Sequence, residues 1–321
     1  MWGIDTVRVR ARAYSSSANL GSGFDVLAVA LDPYYDEVLV DVERGDGLVN
    51  ITNISGPYGN VVSGSENNIV VFAVKLLMER FGVSGLNVNI SLWKGVPVSM
   101  GLGGSGASAV AAVAAAGKAM GLDLDPTTIA EVGGAAEALV AGDPHFDNAS
   151  ASAFGGLIVM LSSRPPIAVR SFKPEGVFFV VSAPKVNPLP GKTRIMRSVL
   201  PKSIDLKTHV EASSKLSSLL YGLIRGDMEA LSIGLNDVIV EPARSKYVPC
   251  YNLVKEYSRK GGALGSVISG AGPAMLTITS KEKLDNTARW IEKAYTECGL
   301  EAEVKKAEIA PGVQTWIEET S

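Results

Sequence analysis

Residues Pro97 to Gly121 read PVSMGLGGSGASAVAAVAAAGKAMG, a glycine-and-serine loop running straight into an alanine-rich segment. Within it Gly101, Gly103 and Gly106 spell G-x-G-x-x-G. Glycines allow a backbone to approach a ligand closely, and the unpaired N–H groups that open a helix face an anion, so the stretch holds the parts of a phosphate cradle. Two chemistries use such a cradle. A Rossmann domain lays a dinucleotide pyrophosphate there and needs an acid about 20 residues on for the ribose, and Asp123 and Asp125 stand near that distance. A kinase lays the phosphates of a nucleotide there instead. A third reading, a tight turn packed on small alanines, asks for no ligand. A Walker loop is excluded, because no G-x-x-x-x-G-K-[ST] occurs in the chain.

The elements around the loop decide between the first two. Leu86–Leu92, LNVNISL, alternates apolar and polar residues and predicts a half-exposed strand; strands sheathed by helices on both faces are continuously apolar. The spacing predicts a helix from about Ser105 to Met120, stopped by Gly121, and a second from roughly Pro126 to Val140, stopped by AGDP. No strand separates the alanine helix from the two acids, so the Rossmann reading fails. Further strands are read at Val7–Arg10, Glu37–Val42 and GGLIVML (155–161), and a helix at Ile69–Arg80 ending at Gly82. The turn-rich stretch Ser162–Gly176 is the expected domain boundary. Beyond it come the apolar strand VFFVVSAP and a proline-bearing loop. Helical patterns follow near 208–225, 227–240 and 249–260, then two strands flanking SGAGP, a helix near 281–297 and a final strand, EAEVKKAEI. Such an order belongs to an α+β protein with mixed or antiparallel sheets, without βαβ repetition.

At 321 residues the chain is long for one core, and we expect two domains, 1–165 and 166–321. With 46% hydrophobic and 20% charged residues it reads as an ordinary globular protein. A net charge of −3 offers no basic stripe for nucleic acid. The N-terminus lacks the apolar core of a signal peptide, and no apolar run is long enough for a membrane span. Cys250 and Cys298 lie far apart without a C-x-x-C, which argues against a zinc site or a disulfide framework and for a reducing cytoplasm.

Three motifs in order then carry a resemblance. PVSMGLGGSGAS is similar to the second motif of the GHMP small-molecule kinases, P-x-x-x-G-L-G-S-S-A; SSSANLGSGFD (15–25) resembles their first motif in its homoserine kinase form, and SGAGPAM (269–275) their third. The chain departs from the second motif at Gly104, where a serine is usual, and at Gly106, where an alanine is usual. HFDN (145–148), KTR (192–194) and DVIVEPAR (237–244) resemble the H-Y-D-N, S-T-R and D-V-I-x-E-P-x-R of the homoserine kinases.

The resemblance implies a two-domain fold, the first domain like ribosomal protein S5 domain 2 and the second ferredoxin-like, with the active site between them. It implies ATP with Mg2+ and transfer of the γ-phosphoryl group to the hydroxyl of L-homoserine, a step of threonine biosynthesis. Under it Pro97, Gly101, Leu102, Gly103, Gly104, Ser105, Gly106, Ala107 and Ser108 would wrap the ATP phosphates, Lys94 would lie close to them, and Asn68 would stand on the adenine side. Gly270, Ala271 and Gly272 would flank the phosphates. Ser105 and Glu137 would hold the metal. Arg194 and Arg244 would bind the substrate carboxylate, Asn19 and Asp25 its ammonium, and Asn148 its hydroxyl. Asp147 is placed like the catalytic aspartate of the mevalonate kinases, although homoserine kinases are thought to work without a strong base. Family members are commonly dimers. A sister kinase of the mevalonate or shikimate type, or a non-catalytic regulator that binds ligand and nucleotide, is the alternative.

Overall fold

The computed structural model describes residues 7–64, 67–141, 145–187 and 191–318. The early alternation extends into two long antiparallel strands, β1 (Val7–Asn19) and β2 (Gly23–Arg44), whose hairpin turn carries the end of SSSANLGSGFD. Val9, Ala11 and Ala13 of β1 face the core, while Arg8, Arg10 and Arg12 pair with Asp41, Glu318 and Glu37 on the other face. β3 (Val49–Ser55), α1 (Ile69–Phe81) and β4 (Leu86–Lys94) make one crossover: β3 and β4 run parallel, and β4 is antiparallel to β2. Gly82, in the left-handed region at φ 63°, stops α1.

Three helices, α2 (Gly104–Ala119), α3 (Pro126–Ala141) and α4 (Phe146–Phe154), pack with this sheet. Thirteen of the 16 residues of α2 are buried, so it is a core helix touched from all sides. That explains its alanines: only small side chains let β1, β2, α1, α3 and α4 approach it together. β5 (Leu157–Ser162) pairs with β2, and β6 (Ala168–Phe172) pairs with β5. The first sheet therefore runs through the stretch read above as a boundary. β6 is five residues long, set among prolines and serines, and leaves little alternation to read.

The second half contains β7 (Phe178–Pro184), α5 (Lys192–Ser198), α6 (Leu206–Arg225), α7 (Met228–Gly234), α8 (Val240–Arg244) and α9 (Tyr251–Lys260). It continues with β8 (Gly265–Ile268), β9 (Met275–Thr279), α10 (Leu284–Glu297) and β10 (Ala302–Ala307). Its antiparallel sheet has the order β10-β7-β9-β8, the ferredoxin-like arrangement. The single helical pattern read near 227–240 is two helices, α7 and α8, with Asp237 between them: its carboxylate accepts the amides of Ile239, Val240 and Glu241 and so starts α8 afresh. After β10 the chain returns to the first sheet as β11 (Gln314–Glu318) beside β1, a five-residue edge strand that leaves even Trp316 and Ile317 exposed.

The expectation of unpaired cysteines is corrected. Cys250 and Cys298 form a disulfide with Cα atoms 6.0 Å apart. α9 starts at one and α10 ends at the other, and the two helices pack together, so tertiary packing closes a gap that spacing along the chain left open. No helix among the described residues is long and apolar enough to cross a membrane.

Candidate active site

The three glycine-bearing turns are stitched to one another. Ser16 N donates to Leu102 O at 3.1 Å, Gly270 N to Ala18 O at 3.2 Å, and Ala274 N to Met100 O at 3.0 Å. Asn19 Nδ2 donates to Gly270 O at 3.1 Å and Ser269 Oγ to Gly101 O at 2.8 Å. Two glycines are dictated by this contact. Gly101 sits at φ 81° and a Cβ there would lie 2.2 Å from Ser269 O; Gly103 sits at φ 65° and a Cβ there would lie 2.0 Å from Ser16 Oγ. Between the turns opens a cavity of about 370 Å3.

One wall is the start of α2. Gly101, Leu102, Gly103, Gly104, Ser105 and Ser108 line the cavity with Lys94, Pro97 and Asn68, and Ser105 is exposed in the first turn of the helix. Gly106, Ala107 and Gly272 do not line it, whereas Gly270 and Ala271 do. Asn68 is the N-cap of α1: it accepts from Val70 N and donates to Ser63 O, so both ends of its amide shape the adjoining segment.

Behind the loop lies a buried ion pair that composition and alternation hid. Asp36 of β2 is fully buried; its Oδ1 accepts the amides of Gly95 and Val96, and its Oδ2 accepts from Lys94 Nζ and Ser108 Oγ. Lys94 also donates to Gly104 O at 2.8 Å and Ser108 Oγ at 3.0 Å. All three ammonium protons therefore point into the loop's own framework, and Lys94 fixes the first turn of α2. Glycine at 104 suits this, since a Cβ would approach Lys94 Nζ to 3.1 Å. Asp36→Ala is expected to lower stability by about 3–5 kcal/mol, the cost of leaving a buried partner charge uncompensated. Denaturant titration measures it, and a loss under about 1 kcal/mol would mean that Lys94 finds another acceptor.

The adjoining wall is acidic. Glu137 of α3 is buried, Gly106 N donates to its carboxylate, and its Oε2 has no hydrogen-bond partner; His145 Nδ1 lies 3.9 Å away. Burial, reinforced by Asp147, pushes the Glu137 carboxyl up to about 8. Asp147, at the start of α4, is also buried and accepts from Asn148 N at 2.8 Å. Burial and the nearby Asp25 raise its carboxyl to about 7. Asn148 turns its side-chain oxygen to Ser16 Oγ at 2.9 Å and its amide nitrogen toward Asp147.

The third side is cationic. Arg244 of α8 is buried and donates to two carbonyls, Met196 O and Gly270 O, both at 3.0 Å. No carboxylate among the described residues forms an ion pair with it, and burial next to Arg197 lowers its guanidinium to about 10. Arg197 donates to Asp25 Oδ2 at 2.6 Å, and Phe24 lies beneath both guanidinium groups, with ring-centre distances of 5.3 and 5.2 Å. Lys192 Nζ is buried between Ser99 O and Gly272 O.

Arg194 needs correcting: it is exposed and outside the cavity lining. The KTR stretch is helical in α5, so steps of about 100° send Arg194 to solvent and bring Lys192, Thr193 and Arg197 to the cavity. Arg197 and Lys192, with Asp36, are the residues missed in the sequence. A helical reading of KTRIMRS would have placed Arg197 on the face of Thr193, four residues before it.

Comparison with known proteins shows the family and the fold. Residues 68–156 match the GHMP kinases N terminal domain and residues 219–297 the GHMP kinases C terminal. The chain is 42% identical to a homoserine kinase of Pyrobaculum islandicum over 94% of its own length and 98% of the relative's. It is 42% identical to a homoserine kinase of Aeropyrum pernix, covering 95% and 97%. Among solved structures, homoserine kinase from Cytophaga hutchinsonii superposes with a TM-score of 0.87 at 28% identity, covering 98% of this chain and 99% of that one.

Proposed function

The chain belongs to the GHMP kinase family, a two-domain α+β fold, and from that premise we propose that it works as a homoserine kinase. It transfers the γ-phosphoryl group of ATP to the side-chain hydroxyl of L-homoserine, giving O-phospho-L-homoserine. The observation that carries the choice of substrate is the charge layout of one cavity: Arg244, buried without a carboxylate partner, faces the same space as Asn19, Asp25 and Asp147. A zwitterionic amino acid needs both signs within one pocket; mevalonate and shikimate carry only the carboxylate.

The roles follow from position. The opening of α2 and the loop before it turn backbone N–H groups and the helix dipole toward the nucleotide phosphates. Lys94 and Asp36 hold that loop rigid. Arg244, with Arg197 beside it over Phe24, takes the substrate carboxylate through a planar fork. Asn19 and Asp25 take the ammonium. Asn148, fixed by Ser16, orients the hydroxyl, and Asp147 accepts its proton at a pKa suited to neutral pH. Phosphoryl transfer otherwise asks for alignment and charge neutralisation.

Mg2+ fits the residues present. Glu137 offers a desolvated carboxylate with an unpartnered oxygen, Ser105 a hydroxyl in the same first turn of α2 whose Gly106 amide meets that carboxylate, and no group of three or more acids, histidines or cysteines among the described residues forms an all-protein cage. That is the donor set of a cation that keeps its other positions for nucleotide oxygens. When bound, Mg2+ would neutralise phosphate charge.

Arg244→Leu tests the reading. It is expected to raise the homoserine KM by about 100-fold or more, the effect of removing a charge-assisted bidentate contact, with little change in the ATP KM. Equal effects on both substrates would reject the clamp.

A further inference from the structure

Lys192 has no place in the roles above, yet it is among the best-buried cations of the molecule, with 7% of its surface exposed. Lysines are almost never buried without an anionic partner. Here the ammonium donates to two carbonyls, Ser99 O and Gly272 O, one from each of two glycine-bearing turns. No acid among the described residues pairs with it. Asp25 is held by Arg197 and Asp36 by Lys94, and neither Asp147 nor Glu137 acts on it. With two protons engaged, a third N–H remains on a group that lines the cavity. Arg244 reaches Gly270 O, two residues from the carbonyl that Lys192 uses, so the two cations stand side by side over one turn. The KTR stretch also differs here from the S-T-R it resembles, with lysine in place of serine.

L-Homoserine brings one anionic group to this cavity, and Arg244 accounts for it. The product brings two, a carboxylate and a phosphate. We propose that Lys192 is a further substrate-contacting residue whose ammonium, beside Arg244, holds the phosphate of the phosphorylated product and the phosphoryl group as it arrives on the hydroxyl. The inference rests on the reading of the reaction given above and adds to it a second anion subsite, placed between the second and third glycine turns.

Burial, with Arg244 as the second cause, lowers the Lys192 ammonium to about 7. Arg244 of α8 is the charged group facing it from a neighbouring element; the 97–101 and 269–273 turns carry no titratable side chain, and on its own helix Arg197 is engaged with Asp25. The cation is thus present below about pH 7 and lost above it, unless an anion holds the proton in place.

Calorimetric titration of the full chain with L-homoserine and with O-phospho-L-homoserine separates this role from a merely structural latch. Lys192→Met is expected to weaken the phosphorylated ligand by about 10- to 100-fold while leaving homoserine within about two-fold. Lys192→Arg is expected to restore most of that affinity. In the wild type the affinity for the phosphorylated ligand falls from pH 6.5 to 8.5 beyond what its own titration explains, and in Lys192→Arg that fall disappears. If Lys192→Met folds poorly, the arginine variant and Lys192→Ser carry the comparison. An equal loss for both ligands, or no loss for either, overturns the subsite. Wild-type protein that binds neither ligand would instead remove the homoserine reading, and the subsite with it.

Discussion

Glu137→Gln is expected to separate stability from activity. In the metal-free protein the native state holds a proton on Glu137 up to about pH 8, whereas the unfolded chain releases it near 4.5. Stability contributed by this group therefore falls as pH rises through that window, by a few kcal/mol in total, because the unfolded state is the one that ionises freely. Glutamine carries no such proton. Denaturation at pH 5 and pH 8 should show the wild type losing stability relative to the variant, and an unchanged difference between the two pH values would contradict the assignment. With Mg2+ and ATP the order reverses: removing the carboxylate is expected to cost about 1,000-fold in kcat/KM. The coupling has a simple origin. A carboxylate oxygen without a partner in the interior is a liability to the fold and an asset to a cation.

Asp147→Asn is expected to lower turnover by more than about 100-fold, the usual contribution of a general base. Its pH signature is the sharper test. The raised native value means that the proton-accepting form accumulates only above about pH 7, so kcat/KM should rise with pH through that value in the wild type. Asp25 is a cause of the raised value, and a bound ammonium beside Asp25 weakens that repulsion. The limb in kcat should accordingly lie at lower pH than the limb in kcat/KM. A loss below ten-fold, with both limbs still present in the variant, would assign the aspartate to holding Asn148 alone.

The sequence made the glycine turns legible because their constraints are local. A left-handed backbone at Gly101 and Gly103, packed against a neighbouring turn, admits no side chain, so the residue type reports the geometry. β4 and the helices α1, α2 and α3 are equally legible from period and stop signals, whereas only Val7–Arg10 of β1 alternates legibly and α4 leaves no such signal. What stayed hidden depends on partners far along the chain. Asp36 looks like a polar-face residue of an alternating strand, and only Lys94, 58 positions on, turns it into a buried anchor. The disulfide depends on α9 and α10 packing together. The resemblance of KTR to S-T-R points to Arg194, and only the turn of α5 brings Arg197 to the cavity in its place. β6 and β11 are short edge strands whose pairing supplies the order that their composition lacks.

The central claim is that this cavity joins a nucleotide to an amino-acid alcohol. Release of ADP from ATP and Mg2+ in the presence of L-homoserine, mevalonate, shikimate or galactose, each in turn, measures it directly. Rapid ADP formation with L-homoserine alone is the expected result. Turnover that prefers one of the other three alcohols, or none with any of them, would contradict it.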